Sequence, residues 1–393
     1  MKIGFYAPMK APEHPSPSGD RTLARLLIEA MTQAGHDVRL MSRHRSIDIS
    51  GDLENQRKIR EQSTPEVARI LDQLQNHSHS IDLWFTYHLF HKAPDWLGPK
   101  VCETLDIPYV IAEASYAPKQ KNGPWREGLS STETALRRAA GIVSLNPRDQ
   151  ECIQPFLKPK AKQLSLLPFT HETASPSDHR GQLKQQLGRT FDIDSELPWL
   201  VTVAMMRKGD KQRSFSMLAA ALDAVKDLDW RLIIIGDGDA AQDVKDAFAP
   251  LGRQRVCFTG ELTTDEVHPY LNAADLFVWP AINEAFGMSL LEAQRHALPV
   301  VAGHTDGTAT IIENEHTGIL TEPENTAAFS QAVRQLMQNP GLREHMGQNA
   351  RQKFLAHHLS LIHISEPTRP ERIAEARVCV KKKKGGGGGG GGG

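Results

Sequence analysis

The sequence predicts an α/β protein made of two doubly wound domains. Short apolar runs alternate with helical patterns in both halves of the chain, which is typical of parallel sheets covered by helices on both faces. A polar stretch at 171–180 separates the halves, and 393 residues are enough for two domains. We therefore predict one domain over 1–170 and a second over 171–358, facing each other across a cleft. Such sheets bind ligands beyond the carboxyl ends of their strands.

The first half carries six apolar runs that we interpret as strands. A helix is predicted over Asp20–Ala34, because its apolar residues share one face, Asp20 is a good N-cap and Gly35 follows as a stop. Another helix is predicted to begin at Thr64, with Pro65 at its first helical position. The predicted strands are Lys2–Ala7, Asp37–Met41, Asp82–Tyr87, Tyr109–Ala112, Gly141–Leu145 and Gln163–Leu167.

The second half repeats the alternation of strands and helices. Two further helices, Asn325–Gln338 and Gly341–His357, are predicted to close the domain. The predicted strands are Trp199–Met205, Arg231–Ile235, Val256–Thr259, Leu276–Trp279 and Val300–Ala302.

Composition narrows the classes of function. There are 46 basic and 47 acidic residues and 39% hydrophobic residues, so the balance of charge indicates no nucleic-acid partner. No apolar run reaches the roughly 20 residues that span a bilayer, and Met1 leads directly into a strand pattern rather than a signal peptide. The four cysteines lack disulfide or metal spacing. We therefore expect a cytoplasmic protein.

The last 35 residues do not fit the pattern of the rest. Leu359–Arg369 reads LSLIHISEPTR, which resembles a translated sequencing adapter, and a lysine run and nine glycines end the chain. We expect 359–393 to be foreign and the genuine C-terminal sequence to be missing after about His358. The lysine run is therefore no evidence for binding to nucleic acid or membrane.

Two carboxylates eight positions apart give the strongest functional signal. Glu284 follows an apolar strand and precedes a helix that contains Glu292, so we predict that both side chains project to roughly the same side. The helix start, at Phe286, Gly287 and Met288, offers unpaired amides and the positive end of a helix dipole, which together attract phosphate. Carboxylates that grip hydroxyls beside a phosphate site indicate a sugar joined to a nucleotide diphosphate.

This segment resembles the E-x7-E motif of the retaining GT-B glycosyltransferases of family 4, also called group 1. The resemblance implies that Glu284 contacts the donor sugar, Glu292 holds the ribose and the amides of 286–288 meet sugar and phosphate. It also implies that Glu261 and Leu262 lie against the nucleotide base. The flanking motifs fall in the family's order: Gly260-Glu261-Leu262, Leu271-Asn272-Ala273-Ala274-Asp275, Pro299-Val300-Val301-Ala302 and Thr317-Gly318-Ile319-Leu320.

A basic turn after the first strand of the second half supplies candidate cations for the diphosphate. Arg207 and Lys211 resemble the family's arginine and lysine pair, and a guanidinium and an ammonium both suit phosphate. Lys208 is the alternative to Lys211. With cations on the protein, the resemblance implies a UDP- or GDP-sugar substrate and no cofactor or metal. We interpret the acidic Gly236-Asp237-Gly238 segment as a turn.

The first half carries the candidate acceptor residues. Gly19 precedes a helix and resembles the family's glycine-containing loop. His88 ends a strand, and either an acceptor or proton-relay role or a structural role is open for it. The family often places a histidine at the end of the next strand, where this chain has Glu113, so we expect Glu113 to take that polar role.

These residues predict a retaining, metal-independent glycosyltransferase. Its partners would be a nucleotide-sugar donor and a sugar, lipid-linked or small-molecule acceptor. The resemblance allows peripheral contact with the inner membrane face, but no basic amphipathic helix requires it. Two alternatives stay open: a GT-B sugar-nucleotide epimerase, and a non-catalytic protein that binds a nucleotide sugar.

Overall fold

The structure, a computed structural model, describes residues 1–15, 18–76, 80–170, 180–285 and 287–359. The predicted connection at 171–179, Phe286 and the segment 360–393 therefore lie outside the described residues. The chain divides into two units. Among the described residues, the first unit comprises Met1–Leu145 and Asp149–Leu166, and the second comprises Asn146–Arg148 and the residues from Leu167 to Leu359. Each unit contains one six-stranded sheet in which all pairs are parallel.

The first sheet has the strand order β2-β1-β3-β4-β5-β6, and all six predicted strands are confirmed. Its order reverses between β1 and β3, so β1 has β2 on one side and β3 on the other. The elements are β1 Lys2–Tyr6, α1 Gly19–Gln33, β2 Asp37–Leu40, α2 Leu53–Asn76, β3 Leu83–Leu89, α3 Gly98–Leu105, β4 Tyr109–Ala114, α4 Arg126–Arg138, β5 Gly141–Ser144, α5 Pro147–Ile153 and β6 Lys162–Ser165.

The predicted start of a helix at Thr64 is wrong, because α2 begins at Leu53 and runs through Pro65. Proline lacks the amide that would bond to the carbonyl four residues earlier, which normally breaks a helix. Here Pro65 lies on the exposed face, where water can solvate the carbonyl that loses its partner. The local sequence does not distinguish a proline in the first turn of a helix from an exposed proline inside one, so Thr64-Pro65 resembles a helix start.

The N-cap of α1 also differs from the prediction. Ser18, rather than Asp20, takes the extended conformation, and its hydroxyl accepts a hydrogen bond from the Arg21 amide. Asp20 instead lies in the first turn of the helix, where its carboxylate can make contacts elsewhere.

A buried carboxylate ties β3 and β4 to the start of α3. Asp95 is 1% exposed and accepts four hydrogen bonds. One oxygen takes the amides of Leu97 and Gly98 at 2.8 and 2.7 Å, and the other takes the hydroxyls of Thr86 and Tyr109 at 2.5 and 2.8 Å. Because every bond is satisfied, this burial is structural, and it fixes the two strands that carry His88 and Glu113.

The second sheet has the order β12-β11-β10-β7-β8-β9, and its five predicted strands and two closing helices are confirmed. The sixth strand, β12, was not predicted, since it is a short edge strand with only its end residues buried. The elements are α6 Arg180–Phe191, β7 Trp199–Val203, α7 Asp210–Asp223, β8 Arg231–Ile235, α8 Ala241–Phe248, β9 Val256–Gly260, α9 Thr264–Ala273, β10 Leu276–Trp279, α10 Met288–Arg295, β11 Val300–Gly303, α11 Asp306–Ile311, β12 Gly318–Thr321, α12 Thr326–Gln338 and α13 Pro340–His357.

The end of the described chain belongs to the second unit. Leu359, the first residue of the predicted foreign segment, is 9% exposed, packs in the core of this unit and pairs with Thr170 in a single parallel bridge. No helix among the described residues is both long and apolar enough to cross a membrane.

Two buried histidines connect α9 with the residue that follows α10. His296 Nε2 lies 3.0 Å from His268 Nδ1, and His296 Nδ1 lies 2.8 Å from Asn272 Oδ1. Because the amide oxygen only accepts, His296 Nδ1 carries the proton and Nε2 accepts from His268. Burial, with added repulsion from His268, Arg295 and Arg351, lowers the pKa of His296 to about 3.

This histidine pair predicts a loss of stability in mild acid. The pKa of His296 is lower in the folded than in the unfolded chain, so unfolding takes up a proton below about pH 6.5. Between pH 7 and pH 5 we expect the His296 contribution alone to cost about 2 kcal/mol of unfolding free energy. Urea unfolding of wild type and His296→Gln at both pH values measures it. The wild type should lose more stability than the variant, and exposed His345→Gln should behave like wild type; equal pH dependence in all three would contradict the assignment.

Candidate active site

The order of the second sheet reverses between β10 and β7, and the loops that follow these two strands meet there. In open parallel sheets this switch point leaves a crevice at the carboxyl ends of the strands, where ligands bind. The loop after β7 carries Arg207, Lys208 and, at the start of α7, Lys211. The loop after β10 carries Glu284. The topology therefore brings together two motifs that are more than 70 residues apart in sequence.

Lys211 and Glu284 form an ion pair at this point. The ammonium of Lys211 contacts Glu284 Oε2, and the indole of Trp279 donates to the same oxygen at 3.2 Å. Lys211 Nζ also lies 5.2 Å from the centre of the Trp279 ring. The Glu284 side chain is 16% exposed and that of Lys211 34% exposed, so the pair is open to a ligand. Of the two candidate lysines, Lys211 is the one that reaches Glu284.

The turn between β10 and α10 has an unusual backbone. Ala281 and Asn283 have φ values of 55° and 51°, and Gly287 has 70°. The left-handed conformation is disfavoured for residues with a Cβ and costs on the order of 1 kcal/mol or more for each. Such outliers concentrate at functional sites, and here they flank the carboxylate of Glu284.

Neighbouring elements hold this turn in place. The amide of Ile282 donates to the buried Ser214 hydroxyl at 3.1 Å, which links the turn to α7. The Thr305 hydroxyl donates to the Glu284 carbonyl at 2.9 Å, and a Cβ on Gly307 would lie 1.9 Å from the Ala285 carbonyl oxygen. Only glycine at position 307 allows α11 to pack this closely.

Helix α10 starts later than the spacing of the two glutamates suggested. Gly287 is its N-cap, and its carbonyl accepts from the amides of Leu290 and Leu291 at 2.8 and 3.3 Å. Helix geometry leaves the first amides, at Met288 and Ser289, without an intrahelical acceptor. Glu284 precedes the helix, so the helical period does not relate it to Glu292; the turn sets its direction instead.

Glu292 lies in the second turn of α10. Burial raises the pKa of its carboxyl to about 7, and Arg295 opposes that shift. A carboxyl held partly protonated near neutral pH can both accept and donate a hydrogen bond.

The other predicted residues of this unit lie in the loops at the same edge of the sheet. Arg207 is exposed, Glu261 is exposed directly after β9, and Leu262 packs partly against the core. The Gly236-Asp237-Gly238 segment packs closely on the loop after β7: a Cβ on Gly236 would lie 2.0 Å from the Ala204 carbonyl oxygen. This contact shows that a side chain larger than hydrogen does not fit at position 236, so close packing accounts for the glycine there. Among the described residues, no group of three His, Cys, Asp or Glu side chains could hold a metal.

In the first unit, Asp20, His88 and Glu113 cluster where the strand order reverses between β1 and β3. Asp20 lies in α1, which follows β1, and His88 and Glu113 lie near the ends of the paired strands β3 and β4. His88 Nδ1 lies 3.1 Å from Asp20 Oδ1 and 4.0 Å from Glu113 Oε1. Gly19 begins α1, and a Cβ there would meet nothing within 4 Å.

The protonation of this cluster departs from ordinary values. Burial would lower the pKa of His88, but Glu113 and Asp20 outweigh it and raise this pKa to about 9. Burial raises the pKa of Glu113 to about 7 despite the opposing effect of His88. Burial would also raise the pKa of Asp20, but its hydrogen bond with His88 leaves it below the usual value. Between about pH 7 and pH 9 the cluster therefore holds an imidazolium beside two carboxylates.

Sequence reasoning missed four residues that support the Glu284 turn: Trp279, Ser214, Thr305 and Gly307. Trp279 reads as an ordinary buried strand residue, and Ser214 as a polar residue of an amphipathic helix. Their roles depend on pairings between distant segments. Only one feature gave a local sequence signal: Thr305 and Thr308, three residues apart, form a capping box that marks the start of α11.

Solved structures with the same arrangement identify the fold as GT-B, two Rossmann-like domains. Sucrose-phosphate synthase from Thermosynechococcus elongatus matches with a TM-score of 0.71 at 17% identity, over 96% of this chain and 99% of that one. Anabaena HepE in complex with UDP matches with a TM-score of 0.71 at 18% identity, over 97% of this chain and 100% of that one.

The second unit also matches a sequence family. Residues 194–353 match the family model described as glycosyl transferases group 1, so this part of the chain is similar to a group 1 glycosyltransferase domain. The alpha-D-kanosaminyltransferase of Streptomyces kanamyceticus is 27% identical over 55% of this chain and 56% of its own length. The D-rhamnosyltransferase WbpZ of Pseudomonas aeruginosa is 33% identical over 36% of this chain and 38% of its own. The chain thus spans less than two thirds of these relatives.

The close packing at Gly307 predicts that a methyl group there displaces the Glu284 turn. We expect Gly307→Ala to lower the unfolding free energy by about 1–3 kcal/mol, because the new Cβ would overlap the Ala285 carbonyl. Amide hydrogen exchange over 281–285 should accelerate as well. Gly341→Ala is the matched control, since its Cβ meets nothing within 4 Å. Unchanged exchange in the first variant would contradict the packing argument.

Proposed function

We propose that the protein is a retaining, metal-independent glycosyltransferase that moves a sugar from a nucleotide-diphosphate donor to an acceptor hydroxyl. The observation that carries the proposal is the Lys211–Glu284 pair at the switch point of the domain that is similar to group 1 glycosyltransferases. A cation for phosphate and a carboxylate for sugar hydroxyls lie side by side there, next to the start of α10. These are the groups that a sugar diphosphate requires.

Each group would serve one part of the substrate. Arg207 and Lys211 would bind the diphosphate, and Lys211 has two N–H donors beyond the one that Glu284 accepts. The Met288 amide and the dipole of α10 add positive potential at the same place. Glu284 would orient the sugar, Glu292 the ribose hydroxyls, and the backbone at Glu261 and Leu262 the base. Solved structures of the fold with UDP and with UDP-glucose support such a donor.

The chemistry is a transfer with retention of configuration. The bond between the anomeric carbon and the diphosphate oxygen breaks, and the acceptor oxygen bonds to that carbon from the same face. The acceptor proton passes to the departing diphosphate. Arg207, Lys211 and the start of α10 would stabilise the negative charge that develops on the diphosphate, which is the largest electrostatic demand of the step. In the first unit, His88 and Glu113 would bind or polarise the acceptor.

Substitution of the ion pair tests the proposed site. Lys211→Ala and Glu284→Ala should each lower the release of UDP or GDP from the matching nucleotide sugar by about 100-fold or more, because each removes a contact to the transition state. Lys208→Ala is the control for charge, and we expect it to stay within about threefold of wild type. Turnover that survives both changes would refute the assignment. Donor binding without turnover on any acceptor would indicate a non-catalytic binding protein. Formation of an epimerised donor in the absence of an acceptor would indicate an epimerase.

Stereochemistry and metal dependence are tested separately. Proton NMR of the first product should show the same anomeric configuration as the donor, since attack and departure share one face. Turnover should be unchanged after treatment with EDTA, because cations on the protein carry the diphosphate charge. An inverted product, or activity that EDTA abolishes and Mg²⁺ or Mn²⁺ restores, would contradict these two parts of the proposal.

A further inference from the structure

We infer that Trp279 is a positioning residue of the proposed transfer. Its indole fixes which oxygen of Glu284 faces the protein and which one faces the donor sugar. The inference rests on the proposed function, because it gives Trp279 a part in that reaction. It depends on contacts within the second unit alone.

The indole of Trp279 is held in one orientation by the sheet and by α7. Trp279 is the last residue of β10, a strand that is paired on both sides, and it is 1% exposed. The buried ring of Phe215, on α7, packs against it edge to face, with the ring centres 4.9 Å apart and the planes at 70°. A side chain that packing locks on a regular element aims its polar group in one direction.

The same helix brings the cation to this ring. Lys211 precedes Phe215 by four residues on α7, so the two side chains lie on one face of the helix. The Lys211 ammonium lies 5.2 Å from the centre of the Trp279 ring, within the range of a cation–π contact. The indole therefore contacts both members of the ion pair, the ammonium through its ring and the carboxylate of Glu284 through its N–H group.

The two oxygens of Glu284 have different surroundings. Oε2 accepts from the Lys211 ammonium and from the Trp279 N–H group, the latter at 3.2 Å. Among the described residues none donates a hydrogen bond to Oε1, and the side chain is 16% exposed. Oε1 is therefore the oxygen that is available to the hydroxyls of the sugar.

The indole supplies an orientation that the lysine alone does not. The last torsion of a glutamate side chain is broad, so its carboxylate turns easily about that bond. An ammonium on a flexible stem can follow either oxygen of Glu284 as the carboxylate turns. The N–H group of Trp279 is fixed in direction, and its bond to the charged carboxylate is strong, so it keeps Oε2 in place.

A second buried tryptophan of the same unit shows an indole in a purely structural setting. Trp230 is 0% exposed, its N–H group donates at 3.1 Å, and the Arg255 guanidinium lies 4.9 Å from its ring centre. Its acceptor is the backbone carbonyl of Val225, whereas the acceptor of Trp279 is the carboxylate of the candidate site. Trp230 is therefore a matched control for packing and for loss of one buried hydrogen bond.

Removal of the N–H group tests the inference. Trp279→Phe keeps an aromatic face for Lys211 but loses the donor. With the nucleotide sugar that wild type uses, kcat for release of the nucleoside diphosphate should fall by about tenfold or more, while the donor KM changes by less than about threefold, because lost orientation acts on the transition state. Trp230→Phe should keep kcat within about twofold of wild type, since a core change outside the site acts on stability. Circular dichroism and melting temperatures establish that both variants are folded.

Two further measurements separate positioning from packing. A benzothienyl ring in place of the Trp279 indole exchanges the N–H group for sulfur at nearly the same shape, and it should lower kcat as Trp279→Phe does. In a Glu284→Ala background, Trp279→Phe should lower kcat by less than about twofold, because the group through which it acts is gone. A radiolabelled donor makes the slow release in that background measurable.

The outcomes separate this inference from the proposed function. An unchanged kcat in both Trp279 replacements would overturn it, and so would an equal loss of kcat in the presence and absence of the Glu284 carboxylate. Either result leaves the proposed function standing, because wild-type turnover and its loss in Lys211→Ala are measured independently. If wild type releases no nucleoside diphosphate from any donor, the proposed function fails and this inference fails with it.

Discussion

The topological switch of each sheet is the constraint on which the candidate sites depend. In the second unit, β7 lies between β8 and β10. The loops that follow the neighbouring strands β7 and β10 therefore start side by side, and they bring Lys211 to Glu284. In the first unit, β1 lies between β2 and β3, and the segments that follow β1 and β3 bring Asp20 to His88 in the same way. Parallel strands place every such loop at one edge, so the chemistry of both units follows from strand order.

The Glu284 turn, the central segment of the candidate site, is held in a conformation that its own residues do not favour. Ala281, Asn283 and Gly287 adopt left-handed backbone, and the packing of α7 and α11 through Ser214, Thr305 and Gly307 overrides the local cost. A loop held in this way presents its carboxylate in one orientation. Preorganisation of that kind lets a charged group stabilise a transition state without reorganising during the reaction.

The sequence predicted much of the fold, and it pointed to the residues of the candidate site, because both leave local signals. The strands other than β12 read as apolar runs, and the Glu284 and Lys211 motifs were recognisable one at a time. Their contact was not readable, since it depends on strand order, and neither was the support from Trp279 and Ser214. The prediction of a helix start at Thr64 was wrong because Pro65 lies inside α2. The helix tolerates this proline because the carbonyl four residues earlier, which lacks a partner amide, faces water. The N-cap was assigned to Asp20 rather than Ser18 because both residue types suit that position.

The pairing of Lys211 with Glu284 bears on selectivity among small anions. An ammonium that already contacts a carboxylate attracts a free phosphate ion less than an unpaired ammonium would, because the carboxylate repels the ion. A molecule that carries both a pyrophosphate and a polyhydroxylated ring compensates the two partners together, giving the lysine a new counterion and the glutamate new hydroxyl donors. Under the proposed function, the pair would therefore favour a sugar diphosphate over inorganic phosphate without any steric gate.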